Sequence, residues 1–438
     1  MNAEVRKIKT AAELALADAY AAAKPKLPGA GVFKALREDA FKRFDAEGLP
    51  HRRVEEWKYT DLRALMRDLK PLAAAPDAKA KALAKDAGKL LASVESRKLV
   101  FVDGAFVAEL SDLTPEAGLT ITSMAQALAK GDALVTAHVG KVVATNDVAV
   151  ALNTALMGDG AVIRIAAGAS IARPIHLVFV ATTPSSMFTR SLVVIEKGAR
   201  AMLLESHEGA SDYQVNAALE MVVGDDAHVD HVKIVSDGAA ALHVSSLMAS
   251  VGAHARFNDF SFTTGGAVVR SQLFLRFDGE GTVANIRGAT LLKDRQHADI
   301  TLVADHVAKG CQSREIFKSV LDGESRGVFQ GKIIVRPKAQ KTDGRMMTRA
   351  LLLSETAEAD NKPELEIFAD DVQCGHGATA GALDEDLVFY LKARGIPARE
   401  AEALLIQAFI GEAVEGIEHA GLREVLMEAA VAWLKARG

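Results

Sequence analysis

The chain has 438 residues, of which 49% are hydrophobic and 25% are charged, a composition that allows one or more large buried cores. Its net charge of −5 and its aromatic content of only 5% argue against a surface that binds nucleic acid or an anionic membrane. The chain has two cysteines, no apolar signal core near its start and no uncharged run long enough for a membrane span, so we predict a cytoplasmic protein.

The first region, residues 1–95, is predicted to be a helical domain. Apolar residues recur at three- and four-residue spacing in FKALREDAFKRFDAEGL (33–49), the pattern of an amphipathic helix. The segment LPHRRVEEWKYTDL (49–62) then brings a turn and a charged run. We expect its Trp57 and Tyr59 to pack against the main body of the protein.

The second region, residues 96–383, consists of short alternating segments such as AVIRI and HLVFV, separated by turns. A small-residue turn element recurs every 26 to 30 residues, at Gly168-Ala169, Gly198-Ala199, Asp226-Ala227, Gly252-Ala253 and Gly281-Thr282. We see no helical pattern between these turns, which excludes a Rossmann-like fold and a TIM barrel. The near-constant period predicts a β-solenoid with three to four short strands per repeat. A sandwich of antiparallel hairpins is the alternative.

The third region, residues 384–438, is again predicted to be helical. Asp384 is a candidate N-cap, Gly395 a candidate C-cap, and Pro397 is placed to start the next helix. Helical additions thus flank the solenoid on both sides. The sheet edges at the ends of a solenoid must be capped or paired with another chain.

The segment ADDVQCGHGATAG (369–381) holds Cys374 and His376 one residue apart. In an extended strand these two side chains point to the same face. Such a pair is able to ligate a metal or an iron–sulfur cluster, to act as a nucleophile with its base, or simply to pack as a buried thiol beside a hydrogen-bonded imidazole. The spacing alone does not choose among these three readings.

Two ligands do not complete a closed metal site, which usually has four. The neighbouring Asp370 and Asp371 are more typical of a turn or a cap than of oxygen ligands. If a metal binds here, we therefore expect the missing ligands to come from another chain.

The remaining histidines and the second cysteine carry less chemical information. His228 and His231 are three residues apart, and His297 and His306 nine residues apart, so each pair falls on opposite faces of a regular strand. Cys311 is interpreted as a small loop or core residue. No G-x-x-x-x-G-K-[ST] phosphate loop occurs, so any ATP-driven step must use a partner's ATPase.

Three stretches resemble the SufD members of the SufB/SufD family, scaffold proteins of the SUF iron–sulfur cluster assembly system. They are KPELEIFADDVQCGHGATAGALDEDLVFYLKARGI (362–396), LPHRRVEEWKYTDL (49–62) and FQGKIIVRPKAQKTDGRM (329–346). The resemblance runs from about residue 30 to the end. Departures from the family pattern at Gly375 and Ala380 remove no ligand, whereas Ala350 replaces an asparagine that the family often has.

The resemblance implies a right-handed parallel β-helix between helical N- and C-terminal domains. It implies a heterodimer with SufB through the β-helix edges, and docking of the SufC ATPase on the C-terminal helices. His376, with Cys374 beside it, would bind a transient iron–sulfur cluster shared with SufB. Reduced flavin is associated with the family's complex, and ATP would enter only through SufC. Without SufB, the chain could pair with itself as a homodimer.

Three functions therefore compete at this point. The first is an assembly scaffold without its own enzymatic activity, built on Cys374 and His376. The second is a thiol- or metal-dependent enzyme on a β-helix. The third is a structural solenoid that only docks an ATPase.

Overall fold

A computed structural model describes residues 8–210 and 212–437. Ten α-helices flank or cover a long β-solenoid in these residues. No helix among them is long and apolar enough to cross a membrane. The helices are α1 (Ala11–Ala23), α2 (Val32–Glu47), α3 (Leu62–Leu65), α4 (Ala78–Leu83), α5 (Met124–Lys130), α6 (Ala133–His138), α7 (Val148–Leu156), α8 (Glu385–Lys392), α9 (Ala398–Val414) and α10 (Ala420–Ala436).

The solenoid consists of two long sheets between which the chain alternates. The strands are β1 (Arg97–Val102), β2 (Ala105–Phe106), β3 (Leu119–Ser123), β4 (Ala161–Ile165), β5 (Ile175–Ala181), β6 (Ser186–Ile195), β7 (Arg200–Gly209), β8 (Gln214–Val223), β9 (His228–Ser236), β10 (Leu242–Val251), β11 (Arg256–Thr263), β12 (Val268–Phe277), β13 (Val283–Leu292), β14 (His297–His306), β15 (Gln312–Leu321), β16 (Arg326–Val335), β17 (Asp343–Leu352), β18 (Glu358–Ile367) and β19 (Gln373–Gly381). From β4 onward, even-numbered strands form one sheet and odd-numbered strands the other, with parallel pairing throughout. The predicted solenoid is therefore confirmed, and the sandwich of hairpins is not found.

Each turn of the solenoid contains two strands of about ten residues, rather than the three to four short strands that we predicted. The corner turns place a residue with positive φ at the same point of each repeat, including Gly168, Gly198, Asp226 and Gly281. At the fourth corner this residue is His254, with φ of 55°. The predicted equivalent, Gly252, lies two residues earlier, so the true repeat is more regular than the sequence suggested.

The main core fills the space between the two sheets. Inward positions along the strands alternate with outward ones, and the core includes Leu177, Leu219, Phe257, Leu275 and Phe317. Stacked aliphatic and aromatic side chains in successive turns bury one another, so each repeat depends on its neighbours for its stability.

The second region also contains three helices that we did not predict, although none lies between the corner turns of residues 168–282. Helices α5, α6 and α7 lie between β3 and β4 and cover the start of the even-numbered sheet. All nine residues of α7 are buried. Such a helix has no polar face and therefore lacks the amphipathic pattern by which we recognise helices.

The two ends of the solenoid differ. At the start, β2 and β3 pair antiparallel with β1 and β4 and are the outermost strands of the two sheets. At the other end, β18 and β19 are the outermost strands of the described sheets. Helix α9 returns from this end to pack on β13 and β15, and α10 packs on α9. The solenoid thus begins with short antiparallel strands, whereas its last turn ends in two longer parallel strands.

Candidate functional site

Cys374 and His376 lie on β19, the last strand of the solenoid. The strand pairs with β17, which places Cys374 opposite Gly344 and His376 opposite Met346. Met346 belongs to the main core, so the face of β19 that carries both side chains is the inward one. The prediction that thiol and imidazole share one face follows from this register.

Two inward-facing columns of residues lead from β15 to this pair. One column contains Ser313, Gly344 and Cys374, and the other contains Glu315, Met346 and His376. We call these six residues the end columns. Gly344 contributes no side chain, and a Cβ atom there would lie 3.4 Å from the Ser313 hydroxyl. The glycine therefore leaves the space between Ser313 and Cys374 free of a side chain.

The Cys374 thiol is half-buried and packs against the edge of the main core. Burial raises the pKa of this thiol, and the negative charge of Asp343 raises it further. The thiol is therefore protonated at neutral pH in the isolated chain. A bound metal would have to displace the proton, as thiolate ligation requires.

Glu315 is fully buried below Met346, on the same column as His376. Burial raises the pKa of its carboxyl to about 8. Neither carboxyl oxygen has a hydrogen-bond partner among the described residues. An unpartnered carboxyl in a core is costly unless it is neutral, so Glu315 holds a proton at neutral pH.

His376 is exposed, whereas the other five residues of the end columns are buried or half-buried. Its imidazole is therefore free to meet a ligand or a second chain from outside. Asp371 lies in the bend before β19, where its backbone carbonyl accepts a 2.6 Å hydrogen bond from the Lys341 amide. That position fits the turn role that we preferred over metal ligation.

The structure also locates the less informative candidates. Cys311 is fully buried in the main core, as predicted. His231 points inward, where its Nδ1 atom lies 2.7 Å from Asp259, whereas His228 points outward. His306 is buried against Phe277, and His297 contacts Thr60 on the outer face. Both histidine pairs are thus on opposite faces, as predicted.

The segment 49–62 is anchored to the outer face of the even-numbered sheet. Trp57 is buried, as predicted, and its ring stacks 3.8 Å from the Arg270 guanidinium. Arg270 forms a fully buried ion pair with Asp299, which also accepts a hydrogen bond from Thr60. Gln330, from the segment 329–346, donates to the Glu56 carbonyl at 3.2 Å. Two stretches far apart in the sequence thus meet at one polar contact.

Sequence reasoning missed most of the titratable groups inside the solenoid. Glu315 is one of them, and a second set lies in its middle turns: Glu205, His207, His231, Lys233, Asp237, His243 and Asp259. Their positions are in phase with inward apolar residues, as Glu315 is with Phe317. The two-residue spacing from inward apolar residues is the sequence signal for these positions. It can be used only when the bounds of each strand are known.

Helix α8 has no buried residue. Its Leu387, Phe389 and Tyr390 are exposed, and Phe389 retains 71% of its accessible surface. Phe368, before β19, is also exposed. We call these four exposed apolar residues the α8 patch, and exposed apolar side chains near one another in the sequence are typical of protein interfaces.

Comparison with known proteins gives two family matches that together span residues 12–409. Residues 178–409 match "SUF system FeS cluster assembly, SufBD core domain", and residues 12–177 match "SufBD protein N-terminal region". The boundary between the matches falls within β5, so the family's N-terminal region includes the first strands and helices α5–α7.

Individual relatives carry the same description. An iron–sulfur cluster assembly SufBD family protein of Synechocystis is 33% identical over 393 residues, 86% of this chain and 85% of that protein. The iron–sulfur cluster assembly protein SufD of Escherichia coli is 30% identical over 387 residues, 87% of this chain and 88% of that protein. Because the family core and these relatives cover most of its length, the chain belongs to the SufBD family and is a component of SUF iron–sulfur cluster assembly.

Proposed function

We propose that the chain is the SufD-type half of an assembly scaffold, in which Cys374 and His376 bind a nascent iron–sulfur cluster shared with a SufB-type chain. The observation that carries this proposal is the position of both donors on β19, the outermost strand of its sheet. Thiolate and imidazole are both ligands of iron–sulfur clusters. Two donors from this chain leave the other cluster positions for the second chain.

An incomplete site suits a scaffold that must release what it assembles. Four thiolates in one chain would bind a cluster tightly and oppose transfer. Here the pair provides a half-buried thiol with a raised pKa and an exposed imidazole. Separation of the two chains would remove part of the ligand set and so favour release.

The SufB-type partner would pair with the edge of β19. An outermost strand presents unpaired N–H and C=O groups that a strand from another chain is able to complete. Strand β18 contains Lys362 and Pro363, residues that discourage edge pairing, whereas β19 contains no Lys, Arg or Pro. Its small residues also allow a partner to approach closely. In the absence of that partner, two copies of this chain could pair at the same edge.

The SufC-type ATPase would dock on the C-terminal helices through the α8 patch. Three apolar side chains on one short exposed helix give the kind of anchor that interfaces bury. The sequence contains no phosphate loop, so ATP would act through this partner and the chain itself would be a scaffold and not an enzyme. The proposal also includes a reduced flavin bound to the complex, to which we assign no residue of this chain. It places the complex in the cytoplasm.

The competing structural reading is supported by the packing of Cys374 against the main core. In that reading the thiol and imidazole only fill space, and the chain holds the ATPase and SufB together. A thiol- or metal-dependent enzyme would need a third catalytic or ligating group near Cys374 and His376. Ser313 and Glu315 are the other such groups on the end columns, and both lie two strands away.

The test is to purify the complex anaerobically after co-expression with SufB- and SufC-type partners, and to measure iron and sulfide per complex. We compare the wild-type chain with His376→Asn and with the matched control His254→Asn. His254 is exposed at a corner with positive φ, a conformation that asparagine tolerates. We expect an intact complex with much less cluster for His376→Asn only. A full cluster content in that variant would favour the structural reading.

A further inference from the structure

A second group of possible metal ligands lies far from β19, where the C-terminal helices meet the solenoid. His228 and Asp230 are two residues apart on the outward face of β9, and Glu418 lies in the connection between α9 and α10. One ligand atom from each of the three residues lies within 4.8 Å of the others. We infer that these residues form a binding site for a first-row divalent cation, which fastens the C-terminal helices to the solenoid. This inference does not depend on the proposed function.

The distances fit ligands around an ion better than direct hydrogen bonds. The Nε2 atom of His228 lies 3.7 Å from a carboxylate oxygen of Asp230 and 4.0 Å from one of Glu418. Both exceed the range of about 2.7–3.2 Å for an N–H···O hydrogen bond. Two ligands at about 2.1 Å from a tetrahedral ion are about 3.4 Å apart, so small side-chain movements would close the site around a cation.

Neighbouring side chains hold Asp230 in place. The Asn258 amide donates a 2.8 Å hydrogen bond to the second carboxylate oxygen of Asp230. The Asn285 amide in turn donates to Asn258 at 2.9 Å. Such a chain of contacts fixes the orientation of a ligand, as partners of metal ligands commonly do. Asp230 can therefore present its other oxygen toward His228 and Glu418.

Charge and access set the expected affinity. His228 and Asp230 each retain 19% side-chain exposure and Glu418 retains 60%, so a cation can enter from solvent. Arg200 and Arg256 occupy the positions beside His228 on β7 and β11. Their positive charges oppose a cation, whereas the two carboxylates attract it. We therefore expect a site of moderate affinity.

The ligand types select the class of cation. One imidazole nitrogen with two carboxylates suits zinc and the other borderline divalent ions of the first transition row. Magnesium and calcium prefer oxygen ligands alone. Because the ligands come from both a strand and the helical connection, a bound ion would restrain the connection as well as the side chains.

The experiment measures zinc binding by calorimetry to the full chain, after chelator treatment, in a Cys374→Ala/His376→Ala background that removes the donors on β19. In this background we compare Glu418→Gln with Glu415→Gln, an exposed acid three residues away that lacks an ion pair among the described residues. We expect one zinc ion per chain, at least about tenfold weaker binding in Glu418→Gln, and no change in Glu415→Gln.

Hydrogen–deuterium exchange of the segment 415–419 tests the fastening role in the same samples. Zinc should slow exchange in the background chain and in Glu415→Gln, and magnesium at the same concentration should not. The inference is overturned if zinc does not bind, if Glu418→Gln binds it as tightly as the background chain, or if zinc leaves the exchange of this segment unchanged. None of these outcomes affects the cluster measurement at His376.

Discussion

Glu315 lies two strands away from His376 in the same inward column of the solenoid, with Met346 between them. One end of this column is a buried carboxyl that has no hydrogen-bond partner among residues 8–210 and 212–437, and the other is an exposed imidazole. A titratable residue therefore lies inside the solenoid, two strands from the proposed cluster site and beside the buried Ser313. Its protonation state has measurable consequences for stability.

We predict that the stability of the chain falls with rising pH because of Glu315. The pKa of its carboxyl rises from an ordinary value of 4.5 to about 8 in the folded state, so the folded chain binds this proton more tightly than the unfolded chain. The stabilisation is complete below about pH 4.5 and is lost as the pH rises through 8. The loss is on the order of 5 kcal/mol.

Urea denaturation at pH 5.5 and pH 8.5 checks this prediction. Glu315→Gln should reduce the difference in unfolding free energy between the two pH values, whereas Glu424→Gln, an exposed acid on α10, should leave it as in the wild-type chain. An unchanged difference in Glu315→Gln would contradict the prediction.

We predict slow alkylation of the native chain. Cys311 is fully buried, and burial raises the pKa of the Cys374 thiol. Since the thiolate is the reactive form, iodoacetamide should modify the chain several times more slowly at pH 7.5 than it modifies free cysteine. Mass spectrometry should locate the label on Cys374, and Cys374→Ser should remove it. Modification as fast as that of free cysteine would show that the thiol is not perturbed.

We predict that Asp299→Ala destabilises the chain by about 3–5 kcal/mol, because it leaves the buried Arg270 without its counter-ion. The matched control is Asp305→Ala on the same strand, whose ion pair with Arg336 is exposed and should contribute no more than about 1 kcal/mol. Urea denaturation gives both values, and limited proteolysis should show earlier cleavage near Trp57 in Asp299→Ala. Equal costs for the two variants would rule out the anchoring role.

We predict that one proline substitution on β19 abolishes pairing at the strand edge without destabilising the fold, whereas a proline at the next residue destabilises the fold. The Gln373 amide donates to the Thr342 carbonyl at 2.8 Å, so by alternation the Thr379 amide faces β17 and the Ala378 amide faces outward. Ala378→Pro should therefore retain the unfolding temperature but lose pairing with the SufB-type chain or with a second copy. Thr379→Pro should lower the unfolding temperature.

Light scattering and co-purification measure the pairing of these variants. If Ala378→Pro pairs as well as the wild-type chain, the β19 edge is not the interface.

We predict that Phe389→Ala weakens binding of the SufC-type ATPase without affecting the fold. Phe389 retains 71% of its accessible surface in the isolated chain, so its truncation should change the unfolding free energy by no more than about 0.5 kcal/mol. Lys392→Ala, on the same helix, is the control. Calorimetry with the purified ATPase should show weaker binding in Phe389→Ala only, and equal binding in both variants would exclude the α8 patch as the docking surface.

The sequence by itself determined the repeating β architecture and its flanking helices. Corner residues recurring at nearly constant spacing specify a solenoid because each turn must stack on the last. The sequence also predicted the N-cap at Asp384, whose side chain accepts hydrogen bonds from the amides of Asp386 and Leu387. The common face of Cys374 and His376 follows from the two-residue period of a strand. These features depend only on local geometry.

Tertiary structure decided which distant residues meet. Strand register, which links residues in successive turns, placed Glu315 in the column of His376 and Asp299 beside Arg270. The fold of the C-terminal helices brought Glu418 to His228. Helix α7 was not predicted because it is buried on every side and therefore lacks an amphipathic pattern. Long-range packing leaves no periodic signal in one sequence, so these contacts became visible only in three dimensions.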